Sequence, residues 1–239
     1  MLKNEIAMFK LQLRIALKEN LIYFYTLIIP ILMVFINKNN DFQDNESLYL
    51  YWSYIVVTTV LNGFLLRIIK LRENGLLKIL TYMTGSKFSV LLAIFLVQLL
   101  SIQLQILFFN LIVALFITKV SLITWCYGFL TSFLAIFLCT AMLSGLLILR
   151  VKFFSFMIVI NLFLWTGLVL LGLRPKGILH YFLTVFNPFQ LILGLYSLPY
   201  ATLWFVVLEA SCTLLYFVMG YFIFEHFSIQ KHLERVRSK

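Results

Sequence analysis

The chain has 239 residues, 63% of them hydrophobic and only 12% charged, with a mean hydropathy of +1.02. A water-soluble domain is about 45–50% apolar and about 25% charged, so a soluble globular protein is excluded and lipid must be part of the solvent. The net charge of +10 is spread between long uncharged gaps rather than gathered on one face, which excludes a nucleic-acid footprint.

Those uncharged gaps, 20–37, 47–66, 88–118, 120–149, 153–173 and 177–208, set the layout. A bilayer core about 30 Å thick needs about 20 apolar residues of helix. Residues 3–19 come first and read as a helix lying at the membrane surface. Lys10, Arg14 and Lys18 form a basic stripe and Ile6, Phe9, Leu13 and Leu17 an apolar one; such a helix suits packing against other helices. The mixed charges of this segment, with no small-residue cleavage site after it, do not make a signal peptide. The expected spans follow at about 21–37 (short, with Pro30), 48–66, 89–117, 123–149, 153–173 and 201–224. A polar loop with Asp41, Asp44 and Glu46 separates the first two.

The uncharged stretch 177–200 is apolar enough for a seventh span, but Asn187-Pro188 and Pro199 interrupt it. Charge balance decides the matter. With six spans, only Lys38, Lys119, Arg174 and Lys176 of the 19 basic residues fall on one side, and the other 15 mark the opposite side as cytoplasmic. A seventh span would move the basic tail across and erase most of that bias. Residues 177–200 are therefore expected as short re-entrant helices on the outer side, with Tyr181, Phe182, Phe186, Phe189 and Tyr196 at the depth aromatic rings favour. The fold class that results is an all-α integral membrane protein of six transmembrane helices, with both termini cytoplasmic.

Enzymatic chemistry finds little support. His180, His226 and His232 lie at or beyond the ends of spans, and Cys126, Cys139 and Cys212 lack metal or disulfide spacing. Gly167 and Gly172 have Walker A spacing, but Leu173-Arg174 follows instead of Lys-Ser/Thr. Polar groups within spans are costly and often functional. Asn62, Gln98, Ser101, Gln105, Asn161 and Glu209 are therefore candidates for lining a transport path, against the alternative that the amides and hydroxyl simply bond neighbouring helices. Glu209 stands out, because no Lys or Arg lies at comparable depth to pair with it.

The most specific segment is 67–88, RIIKLRENGLLKILTYMTGSKF. Apolar residues at 76, 79, 80 and 83 repeat at helical spacing, which is too apolar for a solvated loop and invites a protein partner. Arg72-Glu73-x-Gly75-x-Leu77-x-x-Leu80, followed by Thr84-Gly85-Ser86-Lys87 and a long third span, resembles the first cytoplasmic loop of ABC-2-type transporter permeases. Gly85 stands here where that family often carries Pro. The N-terminal surface helix, the six spans and Asn187-Pro188-Phe189 before the last span match the layout of the same family.

The resemblance implies a permease subunit of a bacterial ABC exporter, paired with a second permease copy or a related chain. ABC ATPase subunits would bind ATP and Mg, with no cofactor in this chain. It also implies a coupling helix at about 72–83, where Arg72, Glu73, Gly75, Leu76, Leu77 and Leu80 meet the ATPase. The nearly uncharged interior fits a hydrophobic or amphipathic cargo such as a bacteriocin-like peptide or a drug. A stand-alone secondary transporter or channel and a non-transporting membrane immunity factor are the alternatives.

Overall fold

The computed structural model describes residues 2–18, 20–37, 47–117, 119–149, 151–172 and 177–227, and every regular element among them is helical. The loop charges at 38–46, Arg150, Arg174, Lys176 and the basic tail lie outside the described residues. In chain order the helices are α1 (Leu2–Lys18), α2 (Asn20–Asn37), α3 (Ser47–Glu73), α4 (Leu76–Thr84) and α5 (Lys87–Phe116). They continue with α6 (Leu122–Ile148), α7 (Phe153–Gly172), α8 (Ile178–Phe186), α9 (Pro188–Tyr196) and α10 (Leu203–His226).

Helices α3, α5, α6, α7 and α10 are long and apolar enough to cross a membrane, and α8 with α9 passes the same test as a pair bent by 106°. The apolar part of α2, Tyr25–Ile36, is shorter. The chain is a multi-pass, all-helical membrane protein.

Alternating direction puts Glu73, Lys87, Ile148, Phe153 and His226 at one end of the bundle, where side-chain contacts between α3, α5, α6, α7 and α10 join them. This is called the Glu73 end below, and the other the Ser47 end. Helix α3 is the axis. Of its most apolar stretch 83% is buried, against 28% for α7 and 11% for α10. A helix apolar all round belongs inside, and α3 buries Trp52, Ile55, Leu61, Phe64 and Leu65 completely or nearly so. Lipid removes the hydrophobic drive between helices, so close packing has to hold them. Gly128 of α6 supplies it: a Cβ there would come within 2.6 Å of the Trp52 indole. Gly220 of α10 does the same against the Ala141 backbone of α6, at 3.0 Å.

One boundary differs from the sequence reading. Charge pattern ends the second span at 66 and opens a loop there, yet α3 runs on to Glu73. Arg67 is buried within it and donates to the Gln12 carbonyl of α1 at 3.0 Å, so this charge is an internal strap rather than part of a solvated loop. Within α3, residues Val60–Leu65 form a π-helical segment. Here the Gln98 amide of α5 donates to the Thr59 carbonyl at 2.9 Å and lies against Gly63, where any Cβ would overlap it. A side chain inserted into the backbone ladder is a recognised cause of such a break.

Helix α1 packs on α5 through Met8, Gln12 and Ala16, which are buried. The expected apolar stripe of Ile6, Phe9, Leu13 and Leu17 lies beside this face, with Ile6 and Leu17 exposed. Lys10, Arg14 and Lys18 are exposed beyond it. Small or unbranched side chains make the closer contact, which is why the bulky stripe misidentified the packed face.

Helices α8 and α9 dip into the bundle from the Ser47 end and return to it. The turn at Asn187 is tied to the Gly167 carbonyl of α7 at 3.0 Å. Counting 1.5 Å per residue from Gly167 to the end of α7 at Gly172 puts that turn about 7.5 Å inside the helix end. Asn187 also accepts from Phe189 N at 3.1 Å and so caps α9, whose first residue is Pro188, the position where a missing N–H costs nothing. The other end of α9 is gripped by an aromatic cluster of Tyr49, Trp52 and Tyr196, and the Tyr127 hydroxyl donates to the Tyr196 carbonyl at 2.7 Å.

Candidate functional site

At the Glu73 end, α4 is held between two glycines in the left-handed region, Gly75 (φ 72°) and Gly85 (φ 75°). Residues with a Cβ resist that conformation, so these two positions start and stop the helix sharply. Arg72 and Glu73 accordingly belong to α3 rather than to the short helix, which begins only at Leu76. The six residues expected to form one docking face divide by direction. Leu77 is 1% exposed and Leu80 packs against the core, so both point inward. Leu76 points outward, in company with Ile79, Tyr82 and Met83, the last two 77% and 72% exposed. Helical spacing identified the short helix, whereas Leu77 and Leu80, which the family resemblance put on a docking face, lie on its inner side.

Arg72 and Glu73 also turn inward. Arg72 donates to the carbonyls of Leu147 at 3.4 Å and Leu149 at 3.3 Å, where α6 ends, and its guanidinium lies 5.5 Å from the centroid of the Phe227 ring beyond α10. The Glu73 carboxylate accepts from Phe153 N at 2.5 Å, at the first residue of α7. A carboxylate at a helix N-terminus satisfies an orphan donor and meets the positive end of the helix dipole. Nearby, Lys87 donates to the Glu225 carbonyl of α10.

Two of the candidate amides, Gln98 and Gln105, are rungs of a buried ladder joining α2, α3 and α5, the interhelical role that the sequence reading set beside a path. Gln105 accepts from the Thr59 hydroxyl at 2.8 Å and donates to the Thr26 hydroxyl at 3.1 Å. Gln98 holds the Thr59 carbonyl, and Asn110 accepts from the Trp52 indole N–H at 2.7 Å. Ser101 donates to Val97 of its own helix at 2.9 Å. Thr59, Thr26 and Trp52 complete these bonds; isolated hydroxyls and a single indole in apolar runs gave no signal to single them out. Asn62 is the one side chain between Tyr51 and Ile69 that is partly exposed. Asn161 lies on the exposed side of α7 between Ile158 and Trp165, away from the ladder.

Glu209 occupies a different place again. It is 1% exposed, and neither carboxylate oxygen has a hydrogen-bond partner. Its carboxyl rests on Gly194 of α9, where a Cβ would come within 2.8 Å of Oε1 and 2.9 Å of the Phe205 ring. Around it, His180 of α8 stacks on Phe205 at 5.5 Å between centroids and contacts Gln190 of α9 at 3.1 Å, and Oε1 of that Gln190 is also unpartnered. Helix α10 thus meets the bent α8–α9 pair through a buried carboxyl seated on a glycine. Among the described residues, no group of three or more His, Cys, Asp or Glu is placed to hold a metal ion.

The chain matches no family model, no curated protein and no solved structure.

Proposed function

We propose that this chain is the membrane-spanning permease subunit of an ATP-driven exporter of the ABC-2 type, in the cytoplasmic membrane of a bacterial cell. In this reading α2 and the five long helices are its six spans, the Glu73 end faces the cytosol with both termini, and α8–α9 is an outer re-entrant pair. A separate ATPase subunit binds ATP and Mg and docks on α4.

The observation that carries the reading is the outward face of α4: Leu76, Ile79, Tyr82 and Met83. A nine-residue helix is too short to persist alone, and this one is kept folded by Leu77 and Leu80 while its apolar face stays uncovered. Exposed apolar patches of this kind receive partner proteins, and a short amphipathic helix enters a groove. Asn161 supports a second permease copy. An amide in the middle of a span, surrounded by the exposed Ile158, Leu162 and Trp165, gains a partner when another chain covers it. The cargo is hydrophobic or amphipathic, and Glu209 is, among the described residues, the one buried carboxyl that can meet a basic group on it.

Gentle purification tests the proposal. The chain should bring down a nucleotide-binding ATPase; Ile79→Asp and Tyr82→Asp should lose it while inserting normally. Glu209→Gln should change export of a cationic cargo and spare a neutral one. A chain that purifies alone and moves cargo without ATP overturns the proposal in favour of a stand-alone transporter, and one that moves nothing points to an immunity factor.

A further inference from the structure

We infer that Arg72 and Glu73 are not docking residues but a two-armed strut that transmits movement of α4 to α6, α7 and α10. The inference rests on the permease reading for its purpose, though not for its geometry. Three helix ends converge on these two adjacent side chains at the end of α3. Arg72 grips the last carbonyls of α6 at Leu147 and Leu149 and lies against Phe227, immediately after α10. Glu73 holds the first N–H of α7 at Phe153. Both residues belong to the last turn of α3, and α4 follows after only Asn74 and Gly75.

That two-residue turn is itself tied down: Asn74 N donates to the Lys70 carbonyl at 3.1 Å and Gly75 N to the Arg72 carbonyl at 3.2 Å. The start of α4 is therefore fastened to the strut, while Leu77 anchors the helix to the core. A force on the outer face of α4 displaces the end of α3, and with it the charged contacts at the ends of three other helices. A multidentate guanidinium and a carboxylate at a helix N-terminus suit this work. Charge-assisted bonds are directional and stronger than neutral ones, and moving them drags the helix ends they hold. Two of the three helices that receive this movement, α7 and α10, are the least buried of the five long ones. They have the fewest protein neighbours to resist it.

The strut can be read without an ATPase. Spin labels at Tyr82 on α4 and Phe154 on α7, both exposed, report the α4-to-α7 distance in the purified chain in lipid nanodiscs. Arg72→Ala with Glu73→Ala should broaden that distance distribution at least two-fold while Glu73→Gln, which keeps an acceptor oxygen, leaves it narrow. In the complete transporter the double variant should retain ATPase association and lose export at least ten-fold. A distribution that stays narrow in the double variant overturns the strut, as does export that survives it. If the distribution broadens yet no ATPase ever associates with the chain, the strut stands and the permease reading falls.

Discussion

Replacing Asn187 tests how firmly the bent pair is seated. The side chain makes two bonds of different kinds: it accepts from Phe189 N, capping α9, and donates to the Gly167 carbonyl across to α7. Losing the cap costs about 1 kcal/mol. The interhelical bond in a membrane bundle averages about 0.6 kcal/mol. The Gly167 carbonyl sits within a helix and keeps its backbone environment, so no orphaned acceptor is added on that side. Asn187→Ala should therefore cost about 1.6 kcal/mol, roughly a fifteen-fold change in the folded-to-unfolded ratio. Asn187→Ser preserves a capping oxygen but cannot span to α7, and should cost only about 0.6 kcal/mol. Reversible denaturation in mixed micelles, followed by the loss of helical circular dichroism, measures both. Equal losses for Ala and Ser, or no loss for Ala, would refute the assignment of two separable bonds.

Other outcomes follow from the packing. Leu77→Asp should prevent stable folding because it buries a charge beneath α4, whereas Tyr82→Asp should leave the thermal midpoint unchanged; heating the purified proteins separates them. Gly128→Ala forces a methyl against the fully buried Trp52, which Asn110 holds in place, and should destabilise by about 1–3 kcal/mol even after the helix-propensity gain of Ala. Gly145→Ala, with nothing within 4 Å of the added Cβ, is the matched control and should be neutral or mildly stabilising. Gln105→Leu should lower stability by about 1 kcal/mol with export per folded molecule unchanged, since its amide bonds helices together rather than touching cargo. Loss of export at full stability would return Gln105 to the pathway.

Much of the layout is legible in the charges alone. Helices begin at Phe153 and Leu203, within two residues of where the expected spans start, because an uncharged run has nowhere to end but at a polar residue. The same rule fails at Arg67. A charge inside an otherwise helical pattern can bond a backbone carbonyl of another helix, here that of Gln12, and no pattern in the sequence announces that partner. Directions around a helix are also only half legible. The 3.6-residue period shows that α4 is amphipathic, but Leu77 and Leu76 are equally apolar, and only the position of α5 and α1 decides which is covered. Glu209 is visible in the sequence as an anomaly, whereas Gly194, which makes room for it, is one glycine among ten. Likewise the sequence offers interhelical bonding as a role for Gln98 and Gln105, but their partners Thr59 and Thr26 depend on which helices become neighbours.

The π-helical segment at Val60–Leu65 has a bearing on everything downstream of it. A π turn accommodates one residue more than an α turn, and one residue corresponds to about 100° of azimuth. Deleting a single residue within that segment, Asn62 for instance, would let α3 close into uninterrupted α-helix with its final turn facing as before, whereas closing it with every residue kept would swing that turn about 100° relative to Trp52. The guanidinium of Arg72 and the carboxylate of Glu73 would then aim away from the α6–α7 junction, although no atom near that junction had been altered. The widened turn beside Gly63 thus works as a phase setting, fixing from mid-helix which way the far end of α3 faces.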